Sequence, residues 1–384
     1  MLTYTELVTL ERSLRGAHVL SVYLDGSETD PAEQRAWRVK LDHALDALRA
    51  ELASSSHEER ESFAAAVRLL DHALDELGAA VGAPGWAAFI TAESIRYAEL
   101  VRAPMPTLAT WRMSATVAPY IRALKESRPA IVAVMDARKA AVYRYRFGQL
   151  DHIETLRAHH VVEPPLHMGD APRVGFHPGT RGSTGRDATE RAELEGMQRM
   201  LAELAERMQA HAGADGWILL GGIERVVAQA MHLLAPVASR VGTFESLDVH
   251  ASPAAIADAA RAGASALRDV SDARQIDEIS AQADAGALGV VGSAATERAL
   301  ELSCVNAMYL SPRYLADHAA DAEEEVHRAF DQDALVEDVS RVAADRLDQR
   351  GGIAARLRYR PNIGAGDVLS SPSLESSADA APPP

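Results

Sequence analysis

Hydrophobic residues recur at helical spacing in two long stretches near the start of the chain. Residues 35–54 and 58–79 each present one apolar stripe. The stripes consist of Trp37, Leu41, Leu45 and Leu48 in the first stretch and of Phe63, Val67, Leu70, Leu74 and Leu77 in the second. HVLSVYLDG before them is typical of a strand, and GWAAFITAE with IRYAELVR after them is typical of a strand pair. Residues 1–125 are therefore predicted to form a self-contained α/β domain.

The hydrophobic period changes in the next segment. PAIVAVMDA is a continuous apolar run, as in a buried strand, and after a short turn the run AAVYRYRFG alternates. Alternation places three aromatic residues on one face of the second strand and two arginines on the other. These residues are Tyr143, Tyr145 and Phe147 on the first face and Arg144 and Arg146 on the second. The two runs predict a β-hairpin with one basic face.

An amphipathic helix and another apolar strand follow in the same segment. Residues 189–208 carry a helical apolar stripe, GWILLGG is a short apolar run that ends in paired glycines, and residues 223–234 form a second helical stripe. This alternation favours a mixed or parallel sheet that is covered by helices. We predict one domain over residues 128–270, with a long loop at residues 157–187.

The last segment alternates the two element types on a smaller scale. After the helix SPAAIADAARAGASALRD, the order is helix, strand, helix, strand, two helices over residues 312–349 and a final strand at IAARLRYRP. This order predicts a compact αβα domain over residues 274–361. Residues 362–384 are rich in Ser, Ala and Pro and are predicted to be a disordered tail. The predicted fold class is α/β with three domains.

The charge of the chain is distributed unevenly. A net charge of −16 argues against nonspecific nucleic-acid binding by the whole surface. Residues 128–270, however, carry 16 basic and 17 acidic side chains and are nearly neutral. Within them, the stretch from Arg157 to Arg186 has four arginines and four histidines, and its only acids are Glu163 and Asp170. This positive segment is suited to a polyanionic partner.

The run VGFHPGTRGSTGRD, residues 174–187, has four glycines and two arginines but little apolar surface to bury. Three interpretations stay open: a disordered insertion, a lid over a small molecule, and a mobile finger that enters an RNA groove. A lid would cover a bound small molecule, but the chain has no cofactor-binding motif. A finger fits the residue types, because glycine permits close approach to a backbone and arginine matches phosphate geometry.

Sequence motifs for catalysis and metal binding are missing. GWILLGGIERV has neither the P-loop nor the dinucleotide-binding glycine spacing, so a tight strand-to-helix turn is favoured. Asp136 has no identifiable partner acids for a nuclease and is interpreted as a turn residue. The four histidines at 159, 160, 167 and 177 match no zinc spacing, and no G-x-S-x-G elbow occurs. We therefore predict no catalytic residue, no metal and no cofactor.

Several blocks occur in a recognisable order over most of residues 15–361. They are SVYLD, IVAVMDARKAAVYRYRFGQL, the Gly/His/Arg loop, WILLGGIERV, GALGVVG, ALELSCVNAMYLS and GIAARLRYRP. The chain thus resembles the bacterial relatives of archaeal and eukaryotic class 1 release factors and Pelota, a group that includes Balon-type ribosome hibernation factors. The resemblance implies a ribonuclease-H-like central sheet without catalytic metals and a last domain like the kink-turn-binding ribosomal protein fold.

Release factors of this family carry Gly-Gly-Gln on the loop that reaches the peptidyl-transferase centre. The corresponding loop here, residues 167–187, contains no glutamine, and Gln149 and Gln198 lie outside it. The resemblance therefore implies a ribosome-binding factor at the A site, in hibernation, rescue or stress, without peptide release or another enzymatic activity of its own. The expected RNA-binding residues are His167, Arg173, His177, Arg181 and Arg186 in the loop and Arg144 and Arg146 on the hairpin.

The expected partners follow from the same resemblance: the ribosome through its RNA, transfer RNA, and a translational GTPase. Two alternatives stay open, a peptidyl-tRNA hydrolase or peptide release factor, and a stress or scaffold protein that binds no RNA. Cys304 is the single cysteine, the N-terminus has no signal-peptide pattern, and no 18-residue apolar run occurs. These features indicate a cytoplasmic protein without membrane contact.

Overall fold

The computed structural model describes residues 1–28, 36–78, 81–159, 185–244, 247, 249–339 and 341–360. They form an α/β fold with three sheets, which confirms the predicted fold class. The chain divides into two compact units, Met1–Ser127 with Asp272–Pro384 and Arg128–Ser271. The division into three domains stays a prediction, and the predicted tail, residues 362–384, lies outside the described residues.

The N-terminal part of the first unit is built on a four-stranded antiparallel sheet of order β3-β2-β1-β4. Its helices and strands are α1 (Tyr4–Leu14), β1 (His18–Asp25), α2 (Ala36–Glu51), α3 (His57–Leu77), β2 (Gly85–Ile90), β3 (Ile95–Val101), β4 (Leu108–Met113) and α4 (Ala118–Glu126). α2 and α3 are the two predicted helices. Their apolar stripes pack on the sheet face that carries Ala88, Ile90 and Trp111, where they form one core.

Three elements of this part, α1, β4 and α4, lie outside the predicted set. α1 begins with a capping box: the Thr3 hydroxyl accepts a hydrogen bond from the Glu6 N–H, and the Glu6 carboxylate accepts one from the Thr3 N–H. The T-x-x-E spacing of this box is readable in the sequence. α4 packs on the sheet face opposite α2 and α3, with the Tyr120 ring 6.4 Å from that of Phe89.

The second unit contains a five-stranded mixed sheet of order β7-β6-β5-β8-β9. Its elements are β5 (Ala130–Met135), β6 (Lys139–Arg146), β7 (Gln149–Arg157), α5 (Gly185–Ala212), β8 (Trp217–Gly222), α6 (Glu224–Leu233), β9 (Val241–Thr243) and the first part of α7 (Pro253–Asp284). β5, β8 and β9 are parallel, whereas β6 is antiparallel to both β5 and β7. The sheet is therefore mixed, as the alternation of strands and helices predicts.

Helices cover both faces of this sheet. α5 and α6 pack on one face, where their apolar stripes form a core with Ile131 and Val142. On the other face, Ile256 and Ala260 of α7 pack against Val132. The sequence predicts two helices over the range of α7, but the structure has one, because no glycine or proline interrupts residues 265–284.

The C-terminal part of the first unit is built on a sheet of order β10-β13-β11-β12. Its elements are β10 (Gly289–Val291), α8 (Ser293–Glu301), β11 (Val305–Leu310), α9 (Pro312–Asp317), α10 (Ala319–Asp331), β12 (Leu335–Asp338), α11 (Arg341–Asp348) and β13 (Ile353–Leu357). α7 and α11 form a core with Tyr309 and Ala354 on one face, and α8 and α10 contact the strands from the other. The predicted αβα arrangement is confirmed. β12 replaces part of the region that the sequence predicts as two helices.

Hydrogen bonds join the N-terminal and C-terminal parts of this unit. The buried Glu323 carboxylate of α10 accepts hydrogen bonds of 3.1 Å from the backbone N–H groups of Val117 and Ala118, where α4 begins. The Tyr4 hydroxyl donates to the Ala334 carbonyl and accepts from the Val336 N–H, at 2.9 and 2.7 Å. Tyr4 thereby occupies backbone groups of the edge strand β12, which would otherwise be open to pairing.

Candidate nucleic-acid interface

The turn between β5 and β6 is organised by Asp136. Its carboxylate accepts hydrogen bonds from the backbone N–H groups of Arg138 and Lys139, at 2.6 and 2.7 Å. This is the geometry of an Asx turn, in which a short side chain replaces a backbone acceptor. Asp136 is a turn residue, as predicted, and it fixes Arg138 and Lys139 at the carboxyl end of β5.

Arg144 and Arg146 occupy the predicted basic face of the hairpin. They follow Ala140 and Val142 on the face of β6 that contacts α5, whereas Tyr143 and Tyr145 pack toward α7. Arg146 is exposed and Arg144 half-buried, and neither guanidinium has a hydrogen bond or ion pair within the described residues. Both are therefore available to an external phosphate or carboxylate.

Phe147 does not share the aromatic face, which corrects the sequence prediction. β6 ends at Arg146, and Phe147 begins the reversal into β7 with a φ of 52°, followed by Gly148 at 78°. The chain leaves extended geometry at this point, so the alternation of side chains stops one residue earlier than expected.

Four cations surround the point where the chain leaves β7. Lys139 lies opposite Arg157 in the β6–β7 register, and the Ala158 N–H donates to the Arg138 carbonyl over 2.9 Å. The Arg199 guanidinium of α5 donates to the His159 carbonyl over 3.3 Å. We call Arg138, Lys139, Arg157 and Arg199 the loop-base cluster. The sequence analysis does not predict it, because the pairing of β6 with β7 brings its members together.

Five of the predicted RNA-binding residues belong to the segment that follows β7 in the sequence. His167, Arg173, His177 and Arg181 fall outside the described residues. Arg186 belongs to the first turn of α5, but its side chain is also outside the described part. All five stay predicted RNA-binding residues.

The structure separates the hairpin arginines from the loop-base cluster. Lys139 begins β6 and Arg146 ends it. The seven residue-to-residue steps between these two ends of an extended strand correspond to roughly 23 Å. The described surface of this unit therefore carries two cationic patches at opposite ends of one strand, not one continuous patch.

A cavity of about 430 Å³ lies beside the loop-base cluster, at the carboxyl ends of the parallel strands β5 and β8. Ligands of α/β sheets commonly bind at such strand ends. Its lining includes Arg138 and Arg225 but also Glu190 and Glu193, and Glu193 pairs with Arg138 at 3.4 Å. Because its charges balance, the cavity favours no anion over a neutral group.

The paired glycines that end β8 serve packing. A Cβ on Gly221 would lie 2.1 Å from the Phe244 ring, and one on Gly222 would lie 1.9 Å from the Met135 carbonyl oxygen. This geometry favours the predicted tight turn, and it argues against the alternative interpretation as a phosphate-binding loop.

Within the described residues, no group of three or more His, Cys, Asp or Glu side chains is placed to hold a metal ion. None of the helices in the described ranges has the length and apolar character needed to cross a bilayer.

Residues 116–265 match the sequence model of bacterial archaeo-eukaryotic release factor family 10. The matched residues include all five strands of the second unit and amount to less than half of the chain. The predicted kinship with the bacterial relatives of the release factors is thereby confirmed.

Three solved structures illustrate the similarity. Archaeoglobus fulgidus Pelota is 14% identical with a TM-score of 0.33, over 63% of this chain and 68% of that one. S. cerevisiae Dom34, a translation termination-like factor that interacts with Hbs1, is 12% identical with a TM-score of 0.41, over 62% and 66%. A model of ribosome-bound archaeal Pelota and ABCE1 gives 13% identity and a TM-score of 0.39, over 92% of each chain. Comparison with curated proteins gives no match.

Proposed function

We propose that this protein binds the ribosome as a translation factor of the release-factor and Pelota type. The observation that carries the proposal is the family match over residues 116–265, which includes the sheet, the hairpin and the loop. In this proposal the protein occupies the A site during hibernation, rescue or stress, in the cytoplasm. Ribosomal RNA is its main partner, and transfer RNA and a translational GTPase are further proposed partners.

The distribution of charge supports RNA binding through a limited surface. The whole chain has a net charge of −16, so it is repelled by RNA unless cations are concentrated locally. Arg144 and Arg146 have no partner within the described residues, and the loop-base cluster lies at the root of the loop. Phosphate contacts by these groups and by the loop arginines would position the protein on RNA.

The absence of glutamine from residues 167–187 supports binding without peptide release. We expect the purified protein to release no peptide from ribosome-bound peptidyl-tRNA, because the loop offers neither glutamine nor a paired acid and base. A release assay with labelled peptidyl-tRNA on programmed ribosomes measures this directly. Codon-dependent release well above background would instead favour the peptide-release alternative.

We expect the protein to sediment with ribosomes and to lose this binding as salt increases. Each phosphate contact contributes about 0.9 to the slope of log affinity against log salt on duplex DNA, and somewhat less on structured RNA. The double variant Arg144→Ala, Arg146→Ala should therefore reduce the slope by up to about two. The loop variant Arg173→Ala, Arg181→Ala, Arg186→Ala should reduce it by up to about three.

A matched control is the double variant Arg207→Ala, Arg261→Ala in the same unit. Both arginines are more than half exposed, and each is already paired, with Glu203 at 3.4 Å and with Asp258 at 2.8 Å. This control should sediment like the wild type. A wild-type protein that stays in the supernatant with every ribosomal state at low salt would favour the scaffold alternative.

A further inference from the structure

Three helices of the first unit meet at a polar group that none of the RNA contacts proposed above uses. It consists of Ser293 at the start of α8, Tyr314 of α9 and Glu325 of α10. The Tyr314 hydroxyl lies 3.2 Å from the Ser293 Oγ and 3.0 and 3.1 Å from the two carboxyl oxygens of Glu325. Glu325 and Tyr314 are buried, whereas Ser293 is exposed. One phenol thus joins a buried carboxyl to a hydroxyl at the surface.

The Glu325 carboxyl is poorly compensated for a buried acid. Within the described residues, the Tyr314 hydroxyl is its single hydrogen-bond donor, and no cation lies within 4 Å of it. Arg328 attracts it from farther away, but this guanidinium already pairs with Glu324 at 2.5 Å. A buried carboxylate with so few partners is unfavourable compared with the neutral acid.

Other titratable side chains face this carboxyl from the same helices. Burial is the main cause that raises the pKa of Glu325 to about 7, against the opposing effect of the Tyr314 hydrogen bond. Glu297 of α8 and Asp321 of α10 repel the carboxylate and add to the increase of this pKa. His318 faces the same phenol, with the two ring centroids 4.9 Å apart. Glu325 therefore changes its charge near neutral pH, unlike an exposed glutamate.

The single proton of the Tyr314 hydroxyl cannot serve both of its neighbours. Burial raises the pKa of Tyr314 to about 12, so the phenol keeps this proton near neutral pH. When Glu325 is neutral, its carboxyl donates to the Tyr314 oxygen and Tyr314 donates to Ser293, so every buried donor has an acceptor. When Glu325 is ionised, Tyr314 has to donate to the carboxylate instead. The hydrogen-bond chain between α10 and α8 therefore depends on the charge of Glu325.

We propose that Glu325 makes the packing of α10 against α8 and α9 sensitive to pH. The neutral carboxyl completes the hydrogen-bond chain to Ser293 and holds the three helices together. The ionised carboxylate takes the Tyr314 hydrogen bond away from Ser293 and repels the acids of α8 and α10, so the helices separate more easily. The three helices lie within the first unit and need no RNA, so the proposal stands or falls independently of ribosome binding.

The direction of the effect follows from the protons bound by the folded and unfolded chains. An unfolded glutamate has a pKa of about 4.3, so above that pH the folded chain keeps a proton on Glu325 that the unfolded chain has lost. The stabilising contribution of Glu325 is therefore complete below about pH 4, and it is lost as pH rises through the higher pKa of the folded state.

Hydrogen exchange of the full chain, read by mass spectrometry, measures this loss. The probes are the amides of α8 and α10, corrected for the intrinsic exchange rate at each pH, in wild type and in Glu325→Gln. Glutamine is a close substitute for the neutral carboxyl and does not titrate. We expect the opening constant of wild type relative to this variant to increase roughly a hundredfold between about pH 5 and pH 8, and to level off above.

A matched control is Glu301→Gln, which removes an exposed acid of α8 that pairs with Arg298 at 2.8 Å. The opening constant of wild type relative to this variant should change by less than about fivefold over the same pH range, as for an exposed ion pair.

Two further variants separate the carboxyl from its neighbours. Tyr314→Phe removes the hydrogen bond that favours the ionised form, so the midpoint of the transition should move to higher pH. His318→Gln removes the imidazole that packs on the phenol and should leave the hundredfold change in place.

The proposal is overturned if the ratio of wild type to Glu325→Gln is constant over this pH range, because Glu325 would then be ionised throughout. It is also overturned if Tyr314→Phe keeps the wild-type midpoint. Loss of the change in His318→Gln would assign the pH dependence to the imidazole and would overturn the proposal as well.

Discussion

Gly222→Ala is expected to unfold the unit Arg128–Ser271, at a cost of about 4 kcal/mol or more. Gly222 ends β8 with a φ of 123°, and an added Cβ would lie 1.9 Å from the Met135 carbonyl oxygen of the parallel strand β5. That oxygen cannot move aside freely, because it accepts the Ile223 N–H over 3.1 Å. The two central strands would have to separate. Amide hydrogen exchange of β5 and β8 in the full chain measures the loss.

Gly148→Ala provides the control for this variant. Gly148 also has a positive φ, 78°, but no atom lies within 4 Å of its added Cβ. It should therefore show only the conformational cost of a left-handed residue, about 1–2 kcal/mol. Equal losses in the two variants would mean that backbone conformation, and not contact with Met135, sets the requirement for glycine at 222.

The glycine pair illustrates what sequence patterns can and cannot provide. GWILLGG predicts a strand followed by a tight turn, because the apolar run and the glycines are local signals. The reason for the glycines is not local. Phe244 and Met135, which crowd Gly221 and Gly222, come from other strands or the segments that follow them. Such contacts depend on strand order, which one sequence does not encode in a readable form.

The sequence predicts only helices over residues 312–349, and the short length of β12 explains why this strand is missed. β12 has only four residues, Leu335–Asp338, and it occupies the edge of its sheet. A strand this short shows no alternation that distinguishes it from the end of a helix. By contrast, the 21-residue helix α3 and the hairpin of β5 and β6 have strong periodicity and are predicted correctly.

The residues of the candidate interface also differ in whether a local sequence pattern predicts them. Arg144 and Arg146 follow from alternation within one strand, and the structure places both on the predicted face. The loop-base cluster requires the register between Lys139 and Arg157 and the approach of Arg199 from α5. Neither the register nor the packing of α5 has a local signal. The binding role of all these residues stays a prediction that the ribosome experiments test.

Lys125→Met is the second substitution for which we expect a large effect, a loss of about 3–5 kcal/mol from the first unit. The ammonium of Lys125 lies 2.8 Å from Asp272 and 3.6 Å from Glu337, and it donates to the backbone carbonyl of Asp338. All four side chains are less than a tenth exposed. Methionine preserves the approximate volume but removes the positive charge among three buried carboxylates. Urea unfolding of wild type and variant at pH 7 measures the loss.

The loss in Lys125→Met should depend on pH in a specific direction. Burial raises the pKa of Asp338, while Lys125 and then Arg122 lower it, so removal of Lys125 raises that pKa further. A carboxyl whose pKa is higher in the folded state stabilises the fold at low pH, and this contribution is lost as pH rises through the folded pKa. The stability lost in the variant should therefore be largest near pH 7 and should shrink toward about pH 4, where unfolded carboxylates titrate.

Arg122→Met, on the same helix, is the control. Arg122 is 57% exposed and lies 3.4 Å from Glu126 and 3.7 Å from Asp338, so we expect a loss of stability below about 1 kcal/mol. A deficit in Lys125→Met that grows toward acidic pH, or one no larger than that of Arg122→Met, would show that the buried carboxylates do not depend on Lys125.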